Sequence, residues 1–405
     1  MTTDRAVGRW QALALLAIAE LLGMSPWFAG TALAPTLSEA WGLSASQVGW
    51  LSSAVQLGFV GGTLGAAVLN LADALPSRWY LAGAAVLAAL ANGLLGVSDS
   101  YGMALASRFL TGLCLAGVYP PAMKMAATWF KAGRGLAIGA VVGALTIGKA
   151  LPYLVEALGG VGKGFVVWST SGAALAAALL VAVGYRDGPH AFPRRPFSWG
   201  LVATVARVRE ARLITGGYLG HMWELYAFWA WIPAFVAASQ AAGLGSGSAD
   251  TRHPAPDTLL PFIIIATGAL GCLLGGWAAD RFGRARVVNW AMAVSGSCCI
   301  LAGFLFGASL WVLLPFLLLW SVAVIADSAQ FSALLTEGVP SHAVGTALTL
   351  QVSLGFLLTM ASIQLVPVIV AWVGWQWSFA VLAFGPMLGI AAIQRLGLHG
   401  PRQQG

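Results

Sequence analysis

Gly276-Trp277-Ala278-Ala279-Asp280-Arg281-Phe282-Gly283-Arg284-Ala285-Arg286 joins two long apolar runs, and its reading decides the fold. An acid, three arginines and a turn-forming Gly283 make a link so short that the flanking runs must go antiparallel. The arginines then belong in water or among lipid headgroups. A weaker echo, Asn70-Leu-Ala-Asp73-Ala-Leu-Pro76-Ser-Arg78, lies between two apolar runs of the first half of the chain. One polar loop per half, in so apolar a chain, points to a duplicated membrane-spanning protein.

Composition supports this class. Of 405 residues, 59% are hydrophobic and 9% charged, against about 25% charged in a soluble domain. The apolar runs approach the ~20 residues that cross a hydrocarbon core as helix, and they lack the alternation of barrel strands. The fold expected is an all-α membrane protein of twelve transmembrane helices in two six-helix halves. The spans fall at roughly 11–33, 47–69, 80–97, 104–127, 136–158, 166–184, 213–238, 258–277, 288–306, 310–333, 344–366 and 377–394. Arg5 and Arg9 precede the first run as in a signal peptide, but the run is longer than an h-region, so it is read as retained.

Basic residues set the orientation. With both termini in the cytoplasm, that side holds the ends and short loops from Arg5 and Arg9, through the cluster Arg186 to Arg212, to Arg395 and Arg402. Lys131 and Arg134 fall on that side too, while the other face keeps only Lys163 and Arg252. The net charge of +7 thus marks topology and does not indicate nucleic-acid binding. Residues 1–185 form the first half, 186–212 a cytoplasmic linker and 213–405 the second half. Phe197–Arg212 reads as a surface helix, and 243–257 as a flexible outer loop. Cys114, Cys272, Cys298 and Cys299 lie in spans without metal spacing, so neither a metal, a cofactor nor a disulfide is expected.

The halves can be compared directly. Glu20 lies about ten residues into its span and Glu224 about eleven, or about 15–17 Å along a helix, near the midplane. Trp27 and Trp231 each follow their acid by seven residues. Equal depth and spacing fit a parallel duplication around a central site.

The loop Gly276–Arg286 resembles the cytoplasmic signature of the major facilitator superfamily, G-x-x-x-D-R-x-G-R-[KR]. It matches at Gly276, Asp280, Arg281, Gly283 and Arg284, whereas the first half keeps Asp73 and a displaced Arg78, with Pro76 in place of the glycine. Arg108-Phe-Leu-Thr-Gly112-Leu-Cys-Leu-Ala-Gly117 is similar to that family's fourth-span motif. Gly139-x-x-x-Gly143-Ala144-x-x-Ile147-Gly148 resembles a degraded fifth-span antiporter motif. The resemblance implies a secondary transporter working by alternating access. Gly117-Val-Tyr-Pro-Pro-Ala-Met-Lys124 and Arg134-Gly-Leu-Ala-Ile-Gly139 loosely resemble the nitrate, nitrite and cyanate porters. That branch's asparagine within a glycine run is absent from Gln351-Val-Ser-Leu-Gly355.

Charged residues at membrane depth cost about 2.5–3.5 kcal/mol each on insertion scales, so they face cavities and partners. Glu20, Lys149, His221 and Glu224 are the central candidates for substrate binding or proton coupling. His221 and Glu224, three residues apart, share a helix face. Trp27, Phe28, Trp223, Tyr226, Trp229 and Trp231 offer aromatic walls. Arg108 either snorkels to the headgroups or faces the bundle and tunes an acid such as Glu20. The loop is read as a latch, with Asp280 at a helix N-terminus or on arginines. Lys124 and Asp327, at similar depths of spans four and ten, read as a gate, with Pro120-Pro121 bending span four.

No Walker sequence appears, so ATP drive is not expected, and no catalytic constellation marks an enzyme. The expected function is proton-coupled transport of a small anion or organic acid, with Lys149 and His221 on the anion. Efflux of a lipophilic cation on Glu20 and Glu224 is the alternative, and a non-transporting sensor or scaffold is the alternative of another class. The expected partners are a small-molecule or ion substrate, protons and the lipid bilayer of a plasma (bacterial inner) membrane, the protein being a monomer.

Overall fold

The computed structural model describes residues 2–130, 134–159, 162–190, 198–243, 258–340 and 342–397. They are all-helical, with no strand among them. Helix α1 (Thr2–Gly23) is broken after Gly23 and resumes as α2 (Ala29–Ala32) and α3 (Ala34–Trp41). Ser44 and Gln47 then form a reciprocal capping box that starts α4 (Ala45–Val68), which satisfies two N-terminal donors of that helix.

The first-half polar loop turns at Asn70, held at φ 51°, ψ 36°. It is the one non-glycine residue at positive φ among those described, a conformation that asparagine tolerates better than most residues. The chain continues through α5 (Leu71–Ala74), α6 (Ser77–Gly96) and α7 (Tyr101–Leu115) to α8 (Tyr119–Ala127). The break between α7 and α8 falls just before Pro120-Pro121, which occupy the first turn of α8, where a proline's missing N–H costs nothing. The bend expected of span four is therefore present. Next come α9 (Arg134–Gly159) and α10 (Lys163–Gly184).

The expected surface helix is shorter than its sequence bounds. It is α11 (Trp199–Arg207), and extended backbone at Val208 separates it from α12 (Arg209–Gly243). Residues 209–212 thus open the seventh long helix and do not belong to the linker. Then follow α13 (Leu259–Phe282) and α14 (Arg284–Phe304), joined at Gly283 with φ 89°. Asp327 separates α15 (Leu310–Ala326) from α16 (Ser328–Gly338). Helix α17 (Val344–Ser378) contains Gly374 at φ 74°, ψ 176°, a non-helical joint that ends one helix and begins another. A short 3-10 turn, Ala380–Ala383, leads into α18 (Phe384–Gly397).

Among the described residues, ten helices are long and apolar enough to cross a membrane. Their outer surfaces expose Trp79, Trp168, Trp311 and Trp372 together with many leucines, as a lipid-facing surface requires. The first- and second-half helices meet along two lines, α9 on α13 and α4 on α17. The second line is polar: Thr359 donates to Gln56 at 2.7 Å, and Ser46 donates to Gln364 at 2.9 Å. Between the two lines lies the centre of the molecule.

Lys131, Arg194, Arg195, Arg252 and Arg402, used above for orientation, and the loop 244–257 lie outside the described residues. So do the side chains of Asp73, Arg5 and Arg134.

Candidate functional site

Two local features bring the central groups together. At Gly148 a Cβ would stand 2.2 Å from the Leu21 carbonyl oxygen, so only glycine lets α9 press its backbone against α1. The next residue, Lys149, is thereby held beside the first helix, close enough for its charge and that of Glu20 to interact. The break after Gly23 then turns Trp27 inward.

Lys149 is 1% exposed and its ammonium sits in an aromatic cage. It donates to the Tyr226 hydroxyl. Nζ stands 3.9 Å from the Trp27 ring, 4.6 Å from Tyr226, 5.6 Å from Trp229 and 5.9 Å from Phe356. These are cation–π distances, which keep a desolvated ammonium tolerable without a carboxylate in contact. A cavity of about 50 Å³ opens beside it, between α8, α9, α12, α15, α16 and α17, with room for a few waters. Two donors near the ammonium are unserved. The indole N–H groups of Trp27 and Trp229 are buried with no hydrogen-bond partner among the described residues, and an indole can only donate.

Glu20 is also buried, and neither of its carboxylate oxygens has a hydrogen-bond partner among the described residues. Arg108 does not supply one. Its guanidinium donates to Asn92 Oδ1 at 2.8 Å and to the carbonyls of Pro26 and Trp27 at 2.6 and 2.8 Å. Of the two readings, Arg108 takes the one that faces the bundle, but its guanidinium goes to the carbonyls at the break in the first helix and not to Glu20. Asn92 is in turn held by Thr170 and Ser171. Arg108→Met should therefore lower the melting temperature of the purified protein, with or without substrate. Each stranded acceptor costs about 1–3 kcal/mol, and Arg108→Lys should recover only part, because one ammonium cannot reproduce the planar fork.

The second-half acid is placed differently from its counterpart. Glu224 accepts from Trp320 Nε1 at 2.6 Å, Ser295 Oγ at 2.9 Å and Cys299 Sγ at 3.4 Å. It points into the packing of α12 on α14 and α15 and is fully served there. His221 Nδ1 lies 2.9 Å from Asp327 Oδ1, both buried, although Oδ1 falls short of an aligned hydrogen bond. His221 and Glu224 therefore do not act on a common ligand in this conformation. Asp327, expected opposite Lys124, has its charge contact within its own half; Lys124 is half-buried.

The tryptophans divide in the same way. Trp27 reaches the cage, whereas Trp231 donates to the Ile363 carbonyl at 2.9 Å and lines a separate cavity of about 320 Å³ with Thr31, Pro35 and Gln240. Trp223 packs against Gly385 and approaches the Val381 carbonyl at 3.4 Å. Phe356 and Tyr119 were not singled out from sequence. Neither carries a charge, Tyr119 being only an unremarked position within the Gly117–Lys124 segment, and only the fold brings α8 and α17 to the cavity.

The motif loop spans the two halves. The Asp280 carboxylate lies 3.7 and 3.8 Å from the Cβ position of Gly135, in the first turn of α9. An acid there meets the positive end of the helix dipole. Gly276 packs on the same turn. Arg284 pairs with Glu337 at 2.9 Å and reaches Gln330 at 3.2 Å. Arg281 lies over the rings of Trp277 and Phe282, and Arg78 over Trp79.

The sequence profile of the Major Facilitator Superfamily matches residues 15–363. The chain belongs to that superfamily: it is an integral membrane transporter and not an enzyme. Solved structures agree on the fold. A human organic anion transporter, MFSD10, superposes with a TM-score of 0.75 at 17% identity, covering 95% of this chain and 99% of that one. A bacterial homologue of the human lysosomal transporter Spinster, inward-facing and occupied, gives 0.70 at 14% identity over 96% and 97%. The fucose:proton symporter FucP of E. coli gives 0.67 at 14% over 95% and 98%. No curated protein matches the sequence.

Proposed function

We propose that the protein is a proton-coupled secondary transporter of a small organic anion, with Lys149 as the anion site and Glu20 as the proton site. The observation that carries the reading is the caged ammonium beside the cavity, held without a carboxylate in contact. It and the two unserved indole N–H groups of Trp27 and Trp229 lack what an anion would supply. Glu20, buried with two unserved oxygens, lacks what a proton would supply, because an unpaired buried carboxylate is costly as an anion. A lipophilic cation is a poorer occupant, since Lys149 already fills the aromatic cage.

Around this centre, the reading takes twelve spans in two six-helix halves that rock about the site, with both termini in the cytoplasm and a single chain as the working unit. The first and last spans are the broken ones, Thr2–Trp41 and the segment after Gly374. The contact of Asp280 with α9 then latches the halves on the cytoplasmic side, and it must release when that side opens. Lys124 and Asp327 lie near the same end; in an opening cycle Asp327 exchanges His221 for water or Lys124.

The test is uptake of a panel of labelled inorganic and organic anions into proteoliposomes, with and without a pH gradient, after subtraction of protein-free vesicles. The expected result is gradient-stimulated accumulation of at least one anion. Movement of lipophilic cations alone would overturn the reading.

A further inference from the structure

The cavity wall narrows the cargo, an inference that rests on the anion reading above. We propose that the cargo is an amphipathic monocarboxylate, one carboxylate on a compact apolar or aromatic body, rather than an inorganic oxyanion or a dicarboxylate.

Three observations support this. First, Lys149 is the single charged residue among the described ones that line the cavity. The other buried basic side chains of the core have partners elsewhere, Arg108 on the carbonyls of the broken helix and His221 on Asp327. A second carboxylate would therefore be buried without a counter-charge. Second, most of the wall is apolar, lined by Val142, Leu145, Leu225, Ile325, Val352 and the two methionines Met123 and Met222. An inorganic oxyanion has acceptors on every side, and those turned to this wall would go unserved. Third, the cage of Lys149, Tyr226 and Trp229 forms a charged head site, while the hydroxyls of Tyr119, Tyr218, Ser328 and Ser332 offer only neutral hydrogen bonds to substituents on the body. Phe356 also lines the cavity, 5.9 Å from Nζ and 5.0 Å from the Tyr226 ring, where it can pack on an aromatic body. The two methionines can adapt to its shape.

The experiment measures dissociation constants by ligand-induced thermal shift, for wild-type and Lys149→Ala protein, with acetate, butyrate, hexanoate, benzoate, nitrate and succinate. The inference expects affinity to rise about fourfold per buried methylene along the aliphatic series. Benzoate should rank with hexanoate, nitrate and succinate should bind at least tenfold more weakly, and all tight binding should vanish in Lys149→Ala. Phe356→Ala, which leaves the head site in place, should flatten the series. If nitrate or succinate binds more tightly than hexanoate, and does so through Lys149, the monocarboxylate assignment falls and the anion reading stands. If no anion distinguishes wild type from Lys149→Ala, the anion reading falls and takes the assignment with it.

Discussion

Lys149→Ala should raise the apparent KM for the transported anion about 100-fold, while Lys149→Arg raises it far less. The magnitude follows from what the alanine removes. Truncating one partner of a buried charge pair costs about 2–5 kcal/mol, and 1.4 kcal/mol is tenfold. Arginine keeps the charge and reaches the same side of the cavity, although its planar head fits the four-ring cage less well than a compact ammonium. Both variants should fold, because Lys149 makes one side-chain hydrogen bond and its neighbour Gly148 preserves the contact with α1. Initial rates of labelled-anion uptake across a concentration range give the comparison. Equal KM values in wild type and both variants would remove Lys149 from the substrate site.

Glu20→Gln should abolish accumulation driven by a pH gradient and leave counterflow within about threefold of wild type. Glutamine is nearly isosteric with the protonated acid, so it mimics one state of the carrier and cannot reach the other. Counterflow exchanges substrate for substrate and needs no proton to come off. Accumulation needs the proton to bind on one side and leave on the other. Because Glu20 has no hydrogen-bond partner to lose, the substitution should not disturb its surroundings. Accumulation at normal strength in Glu20→Gln would place coupling elsewhere, and the fully served Glu224 would then be the next residue to test.

The fold was legible in the sequence because its signals are local. A charged loop of eleven residues, apolar runs near bilayer length and a pair of prolines each act within a few turns. The joint at Gly374 falls within the break expected between 366 and 377, although nothing in composition singles out that glycine among 51. Joints inside an expected span were not legible. The break at Asp327 has neither glycine nor proline beside it. Site residues divided along the same line. Lys149 and Glu20 declared themselves by being charged at membrane depth, since the cost of burial is a property of the residue alone. Their fates depended on partners far along the chain. Glu224 matches Glu20 in depth and spacing, yet it is served by Ser295, Cys299 and Trp320, at sequence separations of 71, 75 and 96. Arg108 likewise finds carbonyls 81 and 82 residues away. No periodicity within a helix reports such contacts.

The pairing of one lysine with one glutamate at the centre has an electrical consequence for the proposed cycle. Empty, the carrier holds Lys149 as a cation and Glu20 as an anion. Loaded, it holds Lys149 with a monovalent anion, and Glu20 with a proton. Either form has no net charge at its middle when the halves exchange sides. A membrane voltage does work only on charge that crosses it, about 2.3 kcal/mol per elementary charge per 100 mV. Here it finds nothing to push. On this proposal the carrier is silent to voltage and powered by the difference in acidity alone, which caps its accumulation ratio at the ratio of proton concentrations across the membrane.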